Sequence, residues 1–333
     1  MAARRGAVRA ELDTVLALAE RMQANIESIV DGKADVVRTS IAVLLAEGHL
    51  LIEDVPGVGK TTLAKALAAS MGADVRRIQF TPDLLPSDVT GVSIYNQDTR
   101  DFEFKPGAIF ANVVLGDEIN RASPKTQSAL LECMEERQVT HDGVTYPLAS
   151  PFLVIATQNP IEMEGTYPLP EAQRDRFTAR VSMGYPSADA ELEMLATHGG
   201  RSPTDDLGAV TDAAEVSAAI TAVQEIHVAD DVRRYVIDLV TATRRSPELR
   251  LGASPRATLH LLRTARATAA LDGRSYVLPD DVSGLAVSLL AHRLLLTPEA
   301  QVARRTAEDV VVGLLSSVPV PVPSPDRDGR RGT

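Results

Sequence analysis

Tryptophan is absent from the 333 residues, and aromatic residues make up only 4%. Cores must then be assembled from Leu, Val, Ile and Ala. Cys133 is the only cysteine, which excludes an intramolecular disulfide and fits a reducing compartment, so a cytoplasmic location is expected. No apolar run nears the roughly 20 residues of a membrane span; the best stretch, 286–296, is interrupted by His292 and Arg293. None follows Arg4 and Arg5 either, so no secretory signal is expected. An excess of positive charge is also missing. The net charge of −11 argues against a large nucleic-acid footprint. The six histidines are scattered without metal-ligand spacing, and no internal repeat is present.

Against these absences stands one dense stretch, Leu51-Ile52-Glu53-Asp54-Val55-Pro56-Gly57-Val58-Gly59-Lys60-Thr61-Thr62. A strand-like start runs into a glycine-rich turn and then into a helical pattern. This is a phosphate-binding loop: Gly57 and Gly59 let backbone N–H groups turn inward, Lys60 reaches the β- and γ-phosphates, and the Thr61 hydroxyl ligates Mg²⁺. The helix that follows adds the positive end of its dipole. One position departs from the general pattern, which opens with glycine where this chain has Asp54. Asp tolerates left-handed backbone angles, but a carboxylate beside phosphates is unhelpful unless it points away.

A second anchor is Asn112-Val113-Val114-Leu115-Gly116-Asp117-Glu118, a buried strand ending in two carboxylates. At the carboxyl end of a strand they face the crevice where open α/β sheets bind ligands. Asp117 is expected to hold Mg²⁺ through water, and Glu118 to take a proton from the attacking water or to polarise it. The strand Phe152–Ala156 ends in Thr157-Gln158-Asn159-Pro160, whose Asn159 is placed either to touch the γ-phosphate or water or to satisfy a turn.

The remaining patterns give an order of elements. Helical spacing runs from about Glu11 to Ile29 and again over Ala34–Glu47. The break at Val30-Asp31-Gly32-Lys33 is either a plain turn or, through Val30 and Gly32, a contact for adenine. Val75–Phe80 reads as a strand, and Gly91–Asn96 with Asp101–Lys105 as an inserted hairpin. A helix is expected from Pro124 to Glu136. A second hairpin, Gln138–His141 with Val144–Leu148, turns at Asp142-Gly143, a type I′ signal. Arg174 and Arg176 precede a last strand, Thr178–Met183. Beyond a hinge near 191–212 every apolar pattern from 213 to 318 is helical. Ser254-Pro255-Arg256 starts one of these helices; Arg256 opposes its dipole, so either an anion or a surface ion pair is expected nearby. Residues 319–333 read as a disordered tail. The domains are thus 1–190, an α/β nucleotide-binding unit with an N-terminal helix, and 213–318, an α-helical lid.

Together these residues resemble an AAA+ ATPase, and more closely the MoxR family. EDVPGVGKTT resembles that family's phosphate loop, which often carries Asp at the Asp54 position. VVLGDEINRA resembles its second acidic motif, ATQNP its first sensor, LPEAQRDRF its arginine-finger segment and GASPRA its second sensor. The likeness runs from about residue 12 to 318. It implies a parallel-sheet P-loop core with inserted β-hairpins and an all-α lid. It implies ATP and Mg²⁺ held by residues 54–62 and Asp117, Asn159 as first sensor, Arg176 (or Arg174) as finger, and Arg256 reaching the nucleotide from the lid. Family members are chaperone-like ATPases, usually ring-forming, that assist maturation or cofactor insertion of client complexes, often with a von Willebrand factor A domain protein. A chelatase-type motor subunit and a regulatory scaffold with little turnover are the competing expectations. Intact Lys60, Asp117 and Glu118 argue against the scaffold.

Overall fold

A computed structural model describes residues 2–55, 57–159, 166–186, 188, 192, 204 and 207–321. Pro56, most of the expected hinge at 191–212, and the tail from 322 lie outside the described residues.

The chain opens with α1 (Ala2–Glu27) and α2 (Ala34–Leu45). The first helix begins before the apolar spacing does. Its buried stripe, Leu12, Val15, Leu18, Met22 and Ile26, faces the core at helical spacing. There follow β1 (Leu50–Glu53), α3 (Lys60–Ser70), β2 (Val75–Gln79) and a one-turn α4 (Pro86–Thr90). Next come β3 (Gly91–Asn96), β4 (Asp101–Pro106), β5 (Val113–Asp117) and α5 (Pro124–Glu136). The α/β part closes with β6 (Gln138–His141), β7 (Val144–Pro147), β8 (Leu153–Gln158), α6 (Glu171–Arg174) and β9 (Ala179–Val181).

Five of these strands form one parallel sheet in the order β2-β5-β8-β1-β9. Both faces are covered, as parallel sheets require. Alternate residues divide between two cores. Leu50, Ile52, Leu115 and Ile155 join α1, α2, α3 and the C-terminal helices. Leu51, Val114, Val154 and Phe80 join Leu130, Leu131 and Met134 of α5. Gly116 is needed for this second core, since a Cβ there would sit 2.9 Å from a Phe80 ring carbon.

Most strand ends agree with the sequence reading to within a residue, and two differ by two residues. β8 runs on to Gln158, because its polar end still pairs with β1, Glu53 opposite Gln158. β9 stops at Val181, because Ser182 and Gly184 turn their polar groups to Asp54. Both hairpins form as expected. Asp142 and Gly143 have φ of 49° and 78°, the paired left-handed residues of a type I′ turn. The hairpins lean on each other through stacked Phe104 and Tyr146.

From Ala213 the described chain is mainly helical: Ala213–Gln224, Asp230–Arg245, Pro255–Leu271, Pro279–Leu290 and Ala307–Ser317. The all-α expectation needs one correction. Leu249–Leu251 and Leu295–Leu296 pair as a short antiparallel ladder, since Leu-Arg-Leu alternates at strand period and spans no helical turn. The apolar stretch 286–296 breaks at a 3₁₀ turn, Ala291–Arg293, and no described helix is long and apolar enough to cross a membrane.

Candidate nucleotide-binding site

The parallel sheet puts the loop after β1 and the carboxylates after β5 on the same edge, the carboxyl ends of the strands. β8 lies between them, so they stand two strand spacings, about 10 Å, apart. Hydrogen bonds run along this edge without a break. Thr157 Oγ1 donates to Asp117 Oδ1 at 3.2 Å and accepts from the Glu118 N–H at 3.0 Å. Gln158 donates to Glu53 at 3.0 Å, and the Asp54 N–H to the Gln158 carbonyl at 3.2 Å.

In the loop, Gly57 and Gly59 have φ of 85° and 91°, the left-handed region that L side chains avoid. Gly59 is the N-cap of α3, so Lys60, Thr61 and Thr62 form its first turn. Their N–H groups have no intrahelical acceptor and aim at whatever anion the loop holds. Val55 and Val58 are half-buried walls of the loop. Lys60 Nζ donates to the Asp54 carbonyl at 2.7 Å, which closes the bend.

The Asp54 carboxylate points away from the cradle. It accepts from the Val55 N–H at 2.8 Å, Ser182 Oγ at 2.9 Å and the Gly184 N–H at 2.6 Å. Burial opposes its charge, but bonds from Gly184, Ser182, Val55 and Met183 outweigh that and hold the carboxyl below its ordinary range. The Val30–Lys33 turn joins the same corner: Lys33 Nζ donates to the Tyr185 carbonyl at 3.0 Å, and Gly32 bends at φ 69°. Val30 is 5% exposed and packs in the core. Asp31 and Gly32 of the turn are exposed.

Asp117 is buried, and its Oδ2 accepts from Arg77 Nε at 2.7 Å. Glu118 sits in the left-handed region at φ 57°, a conformation that non-glycine residues keep only where surroundings enforce it. Its Oε2 accepts from Gln79 Nε2 and Arg121 Nη1, both at 3.0 Å. Asn159 follows β8 and is buried at this edge. The set fits a magnesium nucleotide. A Cβ at Gly57 would meet nothing within 4 Å, leaving the cradle open, and the Thr61 hydroxyl with the Asp117 carboxylate supplies the all-oxygen ligands Mg²⁺ takes.

The arginines lie elsewhere. Thr178 N–H donates to the His49 carbonyl at 2.8 Å, so the segment 174–178 stands at the amino ends of the strands. That is the length of β1 away from the loop, about 13 Å. Arg256 Nη2 meets Glu135 Oε2 at 2.7 Å, and Arg176 Nε meets the same oxygen at 3.9 Å. Glu135 lies in the last turn of α5, two residues before Arg137, which binds Glu47 ahead of β1. Arg256 therefore does not reach its own chain's loop, which corrects the expected approach from the lid. The physical reason is its ion pairing on the opposite edge. Of the two expectations for it, the structure holds the ion pair, with Glu135 and Asp175. Arg174 closes α6 nearby, half-buried.

Sequence reading missed Gln79, Arg121, Thr157, Ser182 and Glu135. Gln79 and Thr157 each sit at a strand's carboxyl end, which was the available signal; Glu135 gave none.

This constellation defines a P-loop nucleotide-binding protein of the AAA+ class, with a parallel sheet and a helical lid. Residues 49–179 match the family model described as "ATPase family associated with various cellular activities (AAA)", and residues 241–312 match the AAA lid domain. Protein YeaC of Bacillus subtilis is 52% identical over 90% of this chain and 93% of its own. Chaperone MoxR1 of Mycobacterium tuberculosis is 42% identical over 91% and 82%. A crystal structure of a protein from Cytophaga hutchinsonii superposes with a TM-score of 0.87 at 36% identity, covering 96% of this chain and 99% of that one. The chain belongs to the MoxR family of AAA+ ATPases.

Proposed function

We propose that this protein hydrolyses ATP in a homo-oligomeric ring, a hexamer by family resemblance, with each site completed by the neighbouring subunit. One observation carries this reading. The loop and acidic pair share one edge of the sheet, whereas Arg176 and Arg256 converge on a single carboxylate oxygen at the other. Two cations within reach of one anion point suit a phosphate oxygen, and only a second chain can present one there.

In that reading the loop N–H groups and Lys60 hold the phosphates. Thr61 and Asp117 hold Mg²⁺, which when bound shields phosphate charge. Glu118 accepts the water's proton, and Asn159 orients the water or the γ-phosphate. Arg176 meets charge developing on the neighbour's γ-phosphate, with Arg256 beside it. Such a finger is worth roughly 10³–10⁵ in rate, about 4–7 kcal/mol of barrier, so turnover depends on assembly. The chaperone-like role in maturing a client complex, with a von Willebrand factor A domain partner and in the cytoplasm, extends the family resemblance and the name of the mycobacterial relative.

Mixing subunits tests the arrangement. Glu118→Gln and Arg176→Ala are each expected to be nearly inactive alone. Mixed rings are expected to regain ATPase activity, because an intact pocket then meets an intact finger. Full turnover by Arg176→Ala rings would remove the finger assignment.

A further inference from the structure

Asp175 lies between the two candidate finger arginines, and its carboxylate is 14% exposed. Four contacts from the lid converge on it. Ser254 Oγ lies 2.8 Å from each of its oxygens. Arg256 Nη1 stands 3.4 Å from Oδ2, and Arg293 Nη1 3.3 Å from Oδ1. Arg293 is 3% exposed. Its Nη2 donates to the Phe177 carbonyl and, at 2.8 Å, to His260 Nδ1. One buried guanidinium thus faces the carboxylate before Arg176 as an ion pair, with no hydrogen bond from Nη1, and hydrogen-bonds the backbone after it. All the gripping groups belong to the lid, at the start of helix Pro255–Leu271 and in the turn Ala291–Arg293.

We propose that Asp175 is a positioning residue through which the lid sets Arg176 and Arg256 for the neighbouring subunit's phosphate. This rests on the reading that the arginines act between chains. Ordinary packing does not require it. A buried guanidinium with its carboxylate is no more stabilising than apolar groups of the same volume; direction is fixed by the hydrogen bonds, from Ser254 Oγ to both oxygens and from Arg256 Nη1 to Oδ2. Arg256 is shared between Asp175 and Glu135, so the Asp175 bond decides where its other face points. Movement of the lid therefore moves the arginine pair.

Asp175→Asn tests the assignment in the full chain. The amide keeps its size and can still accept from Ser254, but it loses the charge that holds both guanidiniums. In homomeric rings turnover is expected to fall about tenfold to a hundredfold, as a misplaced catalytic group does. KM for ATP is expected to stay unchanged, because the chain's own loop is intact. Equimolar mixing with Glu118→Gln subunits is expected to restore activity above that of either variant, which a merely structural defect would not do. Arg176→Ala mixed with Glu118→Gln is the control. If the control fails to recover, action between chains is wrong, and the Asp175 role falls with it. If the control recovers while Asp175→Asn keeps full turnover, or loses it without recovery, only the Asp175 role is overturned. Should Asp175→Asn not fold, Ser254→Ala carries the same test: it removes the hydroxyl's bonds to Asp175 together with its cap on the Ala257 N–H, and a smaller loss of turnover, again restored by mixing, is expected.

Discussion

The Gly184 N–H donates to the Asp54 carboxylate at 2.6 Å. That bond ties the phosphate loop to the segment after β9 and turns an acidic side chain out of a phosphate cradle. Removing the carboxylate strands three donors, the Val55 and Gly184 N–H groups and the Ser182 hydroxyl. These donors are exposed or half-buried, so the loss is the net worth of the hydrogen bonds, about 0.5–1.5 kcal/mol each. Asp54→Ala is therefore expected to melt several degrees lower than the parent chain. Asp54→Gly, although it restores the general loop pattern, is expected to melt equally low. A melting temperature for Asp54→Gly at or above the parent's would show that the tether contributes nothing.

Gln79 and Arg121 both bind the Oε2 atom of Glu118, which leaves Oε1 to receive the proton of a water. Fixing one oxygen orients the other, and orientation is a large part of general-base efficiency. Gln79→Leu is expected to lower kcat about three- to tenfold with KM for ATP unchanged, a loss of transition-state contact alone. A rise in kcat would mean that the amide holds Glu118 away from the water.

How much of this was legible beforehand follows the range of each signal. The loop, the Asp117–Glu118 pair and the Asp-Gly hairpin are local: a few neighbouring residues determine each, and each stands where the sequence placed it. What Asp54 does was not legible, because its partners Ser182 and Gly184 lie about 130 residues on. The placement of Arg256 failed for the same reason. Its helix start was evident from Ser254-Pro255, but which edge of the sheet that helix docks against depends on Asp175 and Glu135, two distant carboxylates. The ladder between Leu249–Leu251 and Leu295–Leu296 is too short for periodicity to reveal.

Cys133 lies on α5 facing the second core, 3% exposed, and burial foremost, then Glu132, pushes its thiol up to about 12. The thiolate is the reactive form, so at neutral pH the native protein is expected to resist thiol-specific reagents. Denatured chain is expected to take up one equivalent promptly. Rapid labelling of the native protein would show that α5 opens away from the sheet.

His49 offers the clearest link between pH and stability. Its Nδ1 accepts from the Val154 N–H at 3.0 Å, while Nε2 stands 3.1 Å from the Met134 carbonyl. Only the neutral ring with its proton on Nε2 satisfies both; a second proton would face the Val154 N–H. Burial is the main cause lowering its pKa from 6.5 to about 4, with Arg137 adding to it against the Met134 bond. His260, whose Nδ1 accepts from Arg293, is lowered to about 2, again mainly by burial. The folded values lie below the unfolded one, so the unfolded chain binds more protons as the solution acidifies. This stability is full above pH 6.5 and is lost as pH falls toward the folded values. Within the window each histidine costs about 1.4 kcal/mol per pH unit. The urea midpoint is therefore expected to drop steadily from pH 6.5 to 4.5, and proton uptake by these rings to accompany unfolding. A midpoint that stays flat across that range, or an imidazole signal from His49 that titrates near 6.5 in the folded protein, would contradict the buried neutral ring.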